Sequence, residues 1–295
     1  MLAMTLLADH PRKRHGGSLP RASTAVLAGN IHGVADSFYI PLGDGKWLAT
    51  AHTTGPWDAT AQHGGPPSAL LSRTMQRCEP RDDMIVARFT CEILSAIPVG
   101  EISVQARLAR PGRSVQLLEG VISAGGREVA AARAWRVLRA QSPSAGPALP
   151  SPPGLPDQGA ALPPGGWVDG YLSAIEWRAV RGQFGERGPA TVWARMRYPL
   201  VPDEEPAPLE RVLAIADSSS GVSGELDLRE WHFINPELTV HLHRDAASEW
   251  ICLDAQTTIS AGGAGLGTSV LSDLAGPVGV CAQSLLVAPR NRRSG

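Results

Sequence analysis

Three polar residues sit in or at the end of otherwise apolar stretches. Asp217 closes Leu209–Asp217 (LERVLAIAD), Thr258 lies in Trp250–Ser260 (WICLDAQTTIS), and Gln283 lies in Val280–Leu285 (VCAQSL). A carboxylate can act as general base, while a hydroxyl and a carboxamide can orient a water molecule. Together they are the parts needed to drive water onto an acyl carbonyl. Each also has a plainer reading. Asp217, at the unfavourable end of a helix dipole, can start a turn or cap the next segment. Thr258 is an ordinary strand residue whose alternation puts it with Asp254 and Gln256, opposite Ile251, Leu253, Ala255 and Thr257. Gln283 can sit at a solvent-facing position, but if buried it needs a partner.

Such a reaction also needs donors for the developing oxyanion, often amides at a helix start. Gln62-His63-Gly64-Gly65 leads straight into Pro66–Cys78, whose residues Ala69, Leu70, Met75 and Cys78 form a helical stripe. Glycines at a helix start let a carbonyl or phosphate oxygen approach the backbone, which makes His63, Gly64 and Gly65 candidate substrate-binding residues. A tight turn explains the glycines equally well. No Lys-Ser/Thr pair follows them and no G-x-G-x-x-G is present, so this is not a nucleotide loop.

The elements that must carry these residues fall into two halves. Residues 141–166 hold eight prolines and five glycines, too many for a helix or an inner strand, and read as a surface linker. Before them, residues 31–140 contain a hairpin around Gly43-Asp44-Gly45, the first helix, and strands at Ile85–Leu94, Glu101–Ala109, Val115–Ser123 and Glu128–Leu138. After them, residues 167–290 repeat the order. Trp177–Val180 and Thr191–Tyr198 precede a helix at Leu209–Ala216, then come Leu238–Leu242, Glu249–Ile259, Gly267–Leu271 and Val278–Val287. Leu209, Val212, Leu213 and Ala216 form one apolar helical face. A curved antiparallel sheet wrapped around one central helix, built twice, fits both halves and gives an α+β class. Residues 1–30, with the basic run His10–Gly17 but no basic-then-apolar leader pattern, are expected to be a flexible extension.

Composition narrows the function. A net charge of -1 argues against general nucleic-acid binding. No apolar run reaches the ~18 residues of a membrane span. Cys78, Cys91, Cys252 and Cys281 have neither metal nor redox spacing and read as reduced core thiols, which points to the cytoplasm.

The chain resembles the acyl-CoA thioesterase II type of double hotdog protein, in its divergent actinobacterial thioesterase-like branch. The likeness spans about residues 31–290. It rests on Trp47-Leu48-Ala49-Thr50, Trp57-Asp58-Ala59 and Gln62 through Leu70, then on an Asp closing the apolar helix, a Trp-initiated strand with a Thr, and a Gln in the last strand. The resemblance implies a double hotdog, two curved antiparallel sheets each wrapped around a central helix. It also implies hydrolysis of acyl-CoA thioesters, with catalytic Asp217, Thr258 and Gln283 activating the water and coenzyme A bound near the seam between hotdogs. No metal or organic cofactor is expected, and a homo-oligomer is compatible with so flat a sheet. The chain departs from the family pattern at Gln256 and Ser284, where glutamates are usual, and in the serine run after Asp217.

Other readings remain open. The main one is a non-catalytic protein that holds an acyl group or acyl-CoA. A hydratase would need a His and a carboxylate facing each other; His63 has Asp58, which lies before the helix, and His241 and His243 with Asp245 read better as a strand face with a loop aspartate. Two histidines on one strand supply only two metal ligands. No G-x-S-x-G elbow occurs for a serine nucleophile. Trp47, Trp57, Trp193 and Trp231 can line an acyl tunnel or simply pack the core.

Overall fold

Alternating side chains in both halves become the strands of one antiparallel sheet. The structure, a computed structural model, describes residues 36–158, 169–182 and 184–290. The expected extension at residues 1–30 and part of the proline-rich segment lie outside these residues. The first half comprises β1 (Tyr39–Gly43), β2 (Lys46–Ala49), α1 (Gly65–Arg77), β3 (Met84–Ile93), β4 (Glu101–Arg110), β5 (Val115–Ala124) and β6 (Arg127–Leu138). In the second are α2 (Tyr171–Ala174), β7 (Ile175–Arg181), β8 (Ala190–Met196), α3 (Pro208–Ala216) and α4 (Ser219–Val222). They are followed by β9 (Trp231–Ile234), β10 (Glu237–Leu242), β11 (Ile251–Ile259), β12 (Ala264–Asp273) and β13 (Gly276–Pro289). The short elements β9, α2 and α4 carry too few residues to show a period and were not expected.

The strand order is β1-β2-β4-β5-β6-β3-β10-β13-β12-β11-β8-β7, with β9 added against β13. Read outward from the centre in either direction, the two halves follow the same path: β3-β6-β5-β4-β2-β1 on one side and β10-β13-β12-β11-β8-β7 on the other. They meet where β3 and β10 pair antiparallel, with Leu238 opposite Cys91 and Val240 opposite Phe89. The repeat of element order seen in the sequence is therefore also a repeat of pairing order.

Both long helices lie against the sheet and against each other. α1 starts with glycine and two prolines at positions where no intrahelical amide bond is lost. It seats on β5 at Gly120, where a Cβ would come within 3.0 Å of Leu71 and Met75. In α3, Val212 through Ala216 are fully buried. The helices approach most closely at Gly65, where a Cβ would stand 2.2 Å from the Ala214 carbonyl oxygen. Any larger residue would push α1 off α3. A second tie joins the halves: the buried Arg73 of α1 makes a two-pronged ion pair with Glu204, at 2.7 Å, with its guanidinium over Trp47.

The proline-rich segment forms neither helix nor strand over 141–158. Leu155 packs on Trp193, Trp250 and Cys252, and the Pro156 carbonyl accepts from Arg178 at 2.7 Å. That cover buries residues on the outer face of β8 and β11, so Ile251, Cys252 and Leu253 are all inaccessible despite alternating sides.

Candidate functional site

The carboxyl end of α3 and the amino end of α1 meet at Asp217. Asp217 caps α3 with helical dihedrals and is 6% exposed. A carboxylate there faces the negative end of its own helix, and three features offset that. The amino end of α1 points at it from the other half. Gln283 donates through Nε2 to both the Asp217 carbonyl (2.9 Å) and Oδ1 (3.0 Å). Asn235 donates through Nδ2 to the same Oδ1 at 2.7 Å. Hydrogen bonds from neutral amides to an ionised acceptor are among the stronger kinds.

Gln283 is fully buried and has both ends of its amide engaged, because Oε1 accepts the Ser220 backbone N–H at 3.0 Å. The serine run does not simply end the helix. It turns into α4, where the hydroxyls of Ser219 and of Ser223, the residue after the helix, bond to Ser269 (2.8 Å) and Thr257 (2.9 Å). Tyr171, from α2, bonds through its hydroxyl to the Ala214 carbonyl (2.8 Å) and to Ser218 (2.9 Å). A layer of buried hydroxyls thus fixes α4 and, through Ser220, the glutamine.

Thr258 is not part of this arrangement. It is exposed on the outer face of β11, while Thr257 is buried on the inner face. Register explains the difference: Thr257 stands opposite Gly267 and Gly267 opposite Gln283, one row across three strands. Thr258 stands one residue out of phase, so it points away. The third side chain on the Asp217 carboxylate is Asn235, at the bend between β9 and β10. Its Asn-Pro dipeptide signals a turn, and nothing else in the local sequence distinguishes it.

On the other side of Asp217, His63 brings Nδ1 to 3.3 Å from Oδ2. The same Nδ1 accepts the Gly65 amide at 3.1 Å, which places the proton of the neutral ring on Nε2. Burial holds the imidazole below its ordinary pKa, only partly opposed by the Asp217 charge. The ring stacks on Tyr171 with centroids 3.7 Å apart and planes 6° from parallel. Gly64 lies directly against the carboxylate, since a Cβ there would be 2.7 Å from Oδ2. Pro66 and Pro67 have no amide hydrogen and the Gly65 amide is taken by His63, so of the helix-start amides it is Gly64 that is left to meet a ligand.

His63, Gly64, Asp217 and Asn235 open onto a cavity of about 150 Å³, otherwise lined largely by apolar side chains including Trp57, Ile97, Leu172, Phe184 and Phe233. Gly65 sits behind them in the helix contact. A larger cavity of about 760 Å³ lies elsewhere. Several of its charged residues are already paired, as in Arg195–Glu176 (2.6 Å) and Arg211–Glu205 (2.7 Å), and none of the residues above line it. The candidate residues His63, Gly64 and Asp217 line the smaller one.

The remaining candidates are accounted for. Cys91 and Cys281 are buried, with burial pushing both thiols up to about 12. Trp193 and Trp250 pack together away from the site, Trp47 lies under Arg73, and Trp57 alone of the four suggested tunnel residues reaches the cavity. Asp58 accepts from the Thr60 amide and hydroxyl. Among the described residues no three His, Cys, Asp or Glu side chains gather as metal ligands, and no helix is long and apolar enough to cross a membrane.

Comparison with known proteins follows these elements closely. A family model described as the acyl-CoA thioesterase N-terminal domain matches residues 53–137, and its companion, the acyl-CoA thioesterase C-terminal domain, matches 143–287. Among solved structures, a conserved hot dog fold protein from Alicyclobacillus acidocaldarius superposes with a TM-score of 0.66 at 16% identity, covering 85% of this chain and 96% of that one. The acyl-CoA thioesterase II TesB2 of Mycobacterium marinum gives 0.61 at 14% identity, covering 87% and 97%. A tesB protein of Mycobacterium avium subsp. paratuberculosis gives 0.62 at 15%, covering 85% and 96%. At these identities the structures show a shared hotdog fold. No curated protein matches the chain in sequence.

Proposed function

Because this chain belongs to the acyl-CoA thioesterase family, we propose that it hydrolyses an acyl-CoA thioester with Asp217 as general base. The mirrored strand order supports reading the two halves, residues 31–140 and 167–290, as a double hotdog joined by 141–166. One observation carries the mechanism: Gln283 and Asn235 both donate to Oδ1 of Asp217, a residue of the cavity lining, which leaves Oδ2, beside His63, to take the water.

In this mechanism the thioester carbonyl sits beside Gly64 and a water sits on Oδ2. Asp217 removes one proton as the water oxygen bonds to the carbonyl carbon. The oxygen that gains charge faces the Gly64 amide and the positive end of α1. When the carbon–sulfur bond breaks, the proton held by Asp217 goes to the sulfur. A carboxylic acid and a free thiol result, and Asp217 is again ionised. Gln283 and Asn235 keep the carboxylate from rotating throughout. Thr258 has no part in it.

Thiol release from acyl-CoA esters tests the proposal. The parent should release thiol, and Asp217→Asn should not. Acyl-CoA binding without release by the parent would instead establish a binding protein.

A further inference from the structure

The cavity that meets Asp217 is small and walled by bulky side chains. Phe184 is one of them. Its ring stands edge-on to Trp177, with centroids 5.0 Å apart and planes at 86°. It also lies on Gly221 of α4, close enough that a Cβ there would be 3.1 Å from Phe184 Cε1. Phe184 is therefore held from two sides. Trp57 and Leu172 line both this cavity and a neighbouring one of about 300 Å³, so they form part of the partition between the two. The Arg290 guanidinium lies 5.8 Å from the Trp57 ring centroid.

Resting on the thioesterase reading above, we infer that the acyl group this site accepts is compact, a short aliphatic chain or a single aryl ring, with Phe184 as its end stop. The volume is about 150 Å³, and an apolar cavity of this size holds a benzene ring in other proteins. An acyl group of up to about six carbons fills such a space. A longer one must displace Phe184 or pass the Trp57–Leu172 partition. The polar coenzyme does not fit an apolar chamber, so the chamber belongs to the acyl part.

The experiment uses the full chain and acyl-CoA esters from acetyl to palmitoyl, together with benzoyl-CoA. kcat/KM should peak at or below six carbons or at benzoyl, and fall at least tenfold by dodecanoyl. Phe184→Ala should move the optimum toward longer chains, and Phe184→Leu should move it in the same direction by less, which covers the event that the alanine variant folds poorly. A parent optimum at dodecanoyl or palmitoyl would overturn the inference, as would two folded variants with the parent's profile. Binding of the same esters to Asp217→Asn, followed by tryptophan fluorescence, separates the two readings. If no ester is hydrolysed but compact esters bind at least tenfold tighter than palmitoyl-CoA, the size limit stands and the hydrolase reading fails. If long and compact esters bind equally, the size limit fails whatever the catalysis.

Discussion

Gln283 and Asp217 are joined at two points: one side-chain amide nitrogen donates to both the backbone carbonyl and Oδ1 of the aspartate, at 2.9 and 3.0 Å. The pair couples the last strand of the sheet to the end of α3. Gln283→Ala would take this partner from the Asp217 carbonyl and the Ser220 amide and leave Oδ1 with Asn235 alone, at about 1–3 kcal/mol for an unsatisfied buried group. A urea midpoint should fall accordingly and thiol release should fall with it. Loss of turnover at unchanged stability would mean that the glutamine serves chemistry alone.

Asn235 should matter as much to turnover. Asn235→Ala removes the shorter of the two bonds to Oδ1. We expect kcat to drop at least tenfold, with a smaller effect on KM, because the aspartate loses its orientation while the acyl chamber persists. Unchanged kcat would remove Asn235 from the site.

The adjacent threonines make an internal control. Thr257→Val deletes the bond to the buried Ser223 hydroxyl and should cost about 1 kcal/mol. Thr258→Ala changes an exposed outer-face residue and should stay within about 0.5 kcal/mol of the parent, with full activity. The reverse ranking, by thermal melting and initial rates, would mean that the strand is out of register.

These threonines also show how far the sequence could be read. The apolar stripes of α1 and α3 and the period of two in β3 to β6 were plain, because those elements bury one face strongly. Asp217 and Gln283 stood out as polar residues in apolar surroundings, and the structure brings the two into contact. In β11 the pattern was blurred, since Leu155 and the two tryptophans bury part of its outer face as well. The more polar side of that strand, with Asp254, Gln256 and Thr258, proved to be the solvent side over its second half. Asn235 was hidden for another reason. Its role arises from a bend that places it beside a helix end 18 residues earlier, and an Asn-Pro pair shows only the bend. At the start of α1 the sequence did not show that the Gly65 amide is taken by His63, because that bond depends on the fold of the loop.

The two glycines before α1 should fail differently. Gly65→Ala sets a Cβ against the Ala214 backbone, so overpacking of about 1–3 kcal/mol is expected, toward the upper end. Gly64→Ala instead presses on the Asp217 carboxylate, a side chain that can give way only by disturbing its bonds to Gln283 and Asn235. It should lower turnover much more than melting temperature. Equal effects of both changes on both measurements would argue against this geometry.

Stability should also report on His63. Burial keeps the folded imidazole neutral to lower pH than in the unfolded chain, where its pKa is about 6.5. As pH falls below about 6.5 the unfolded state takes up the proton first, so stability is full above that value and declines beneath it. Urea midpoints from pH 7.5 to 5.5 should slope downward more steeply in the parent than in His63→Gln. Parallel slopes would mean that His63 is not held neutral by the fold.

The most direct test of the central claim is the rate of thiol release by Asp217→Asn beside the parent, on the best acyl-CoA ester of the series. The asparagine keeps the shape and the contact to Gln283 but cannot accept a proton from water. The account predicts a loss of at least a hundredfold in kcat, the range typical of a lost general base, with binding of the ester retained. Hydrolysis by the asparagine form at the parent's rate would contradict it.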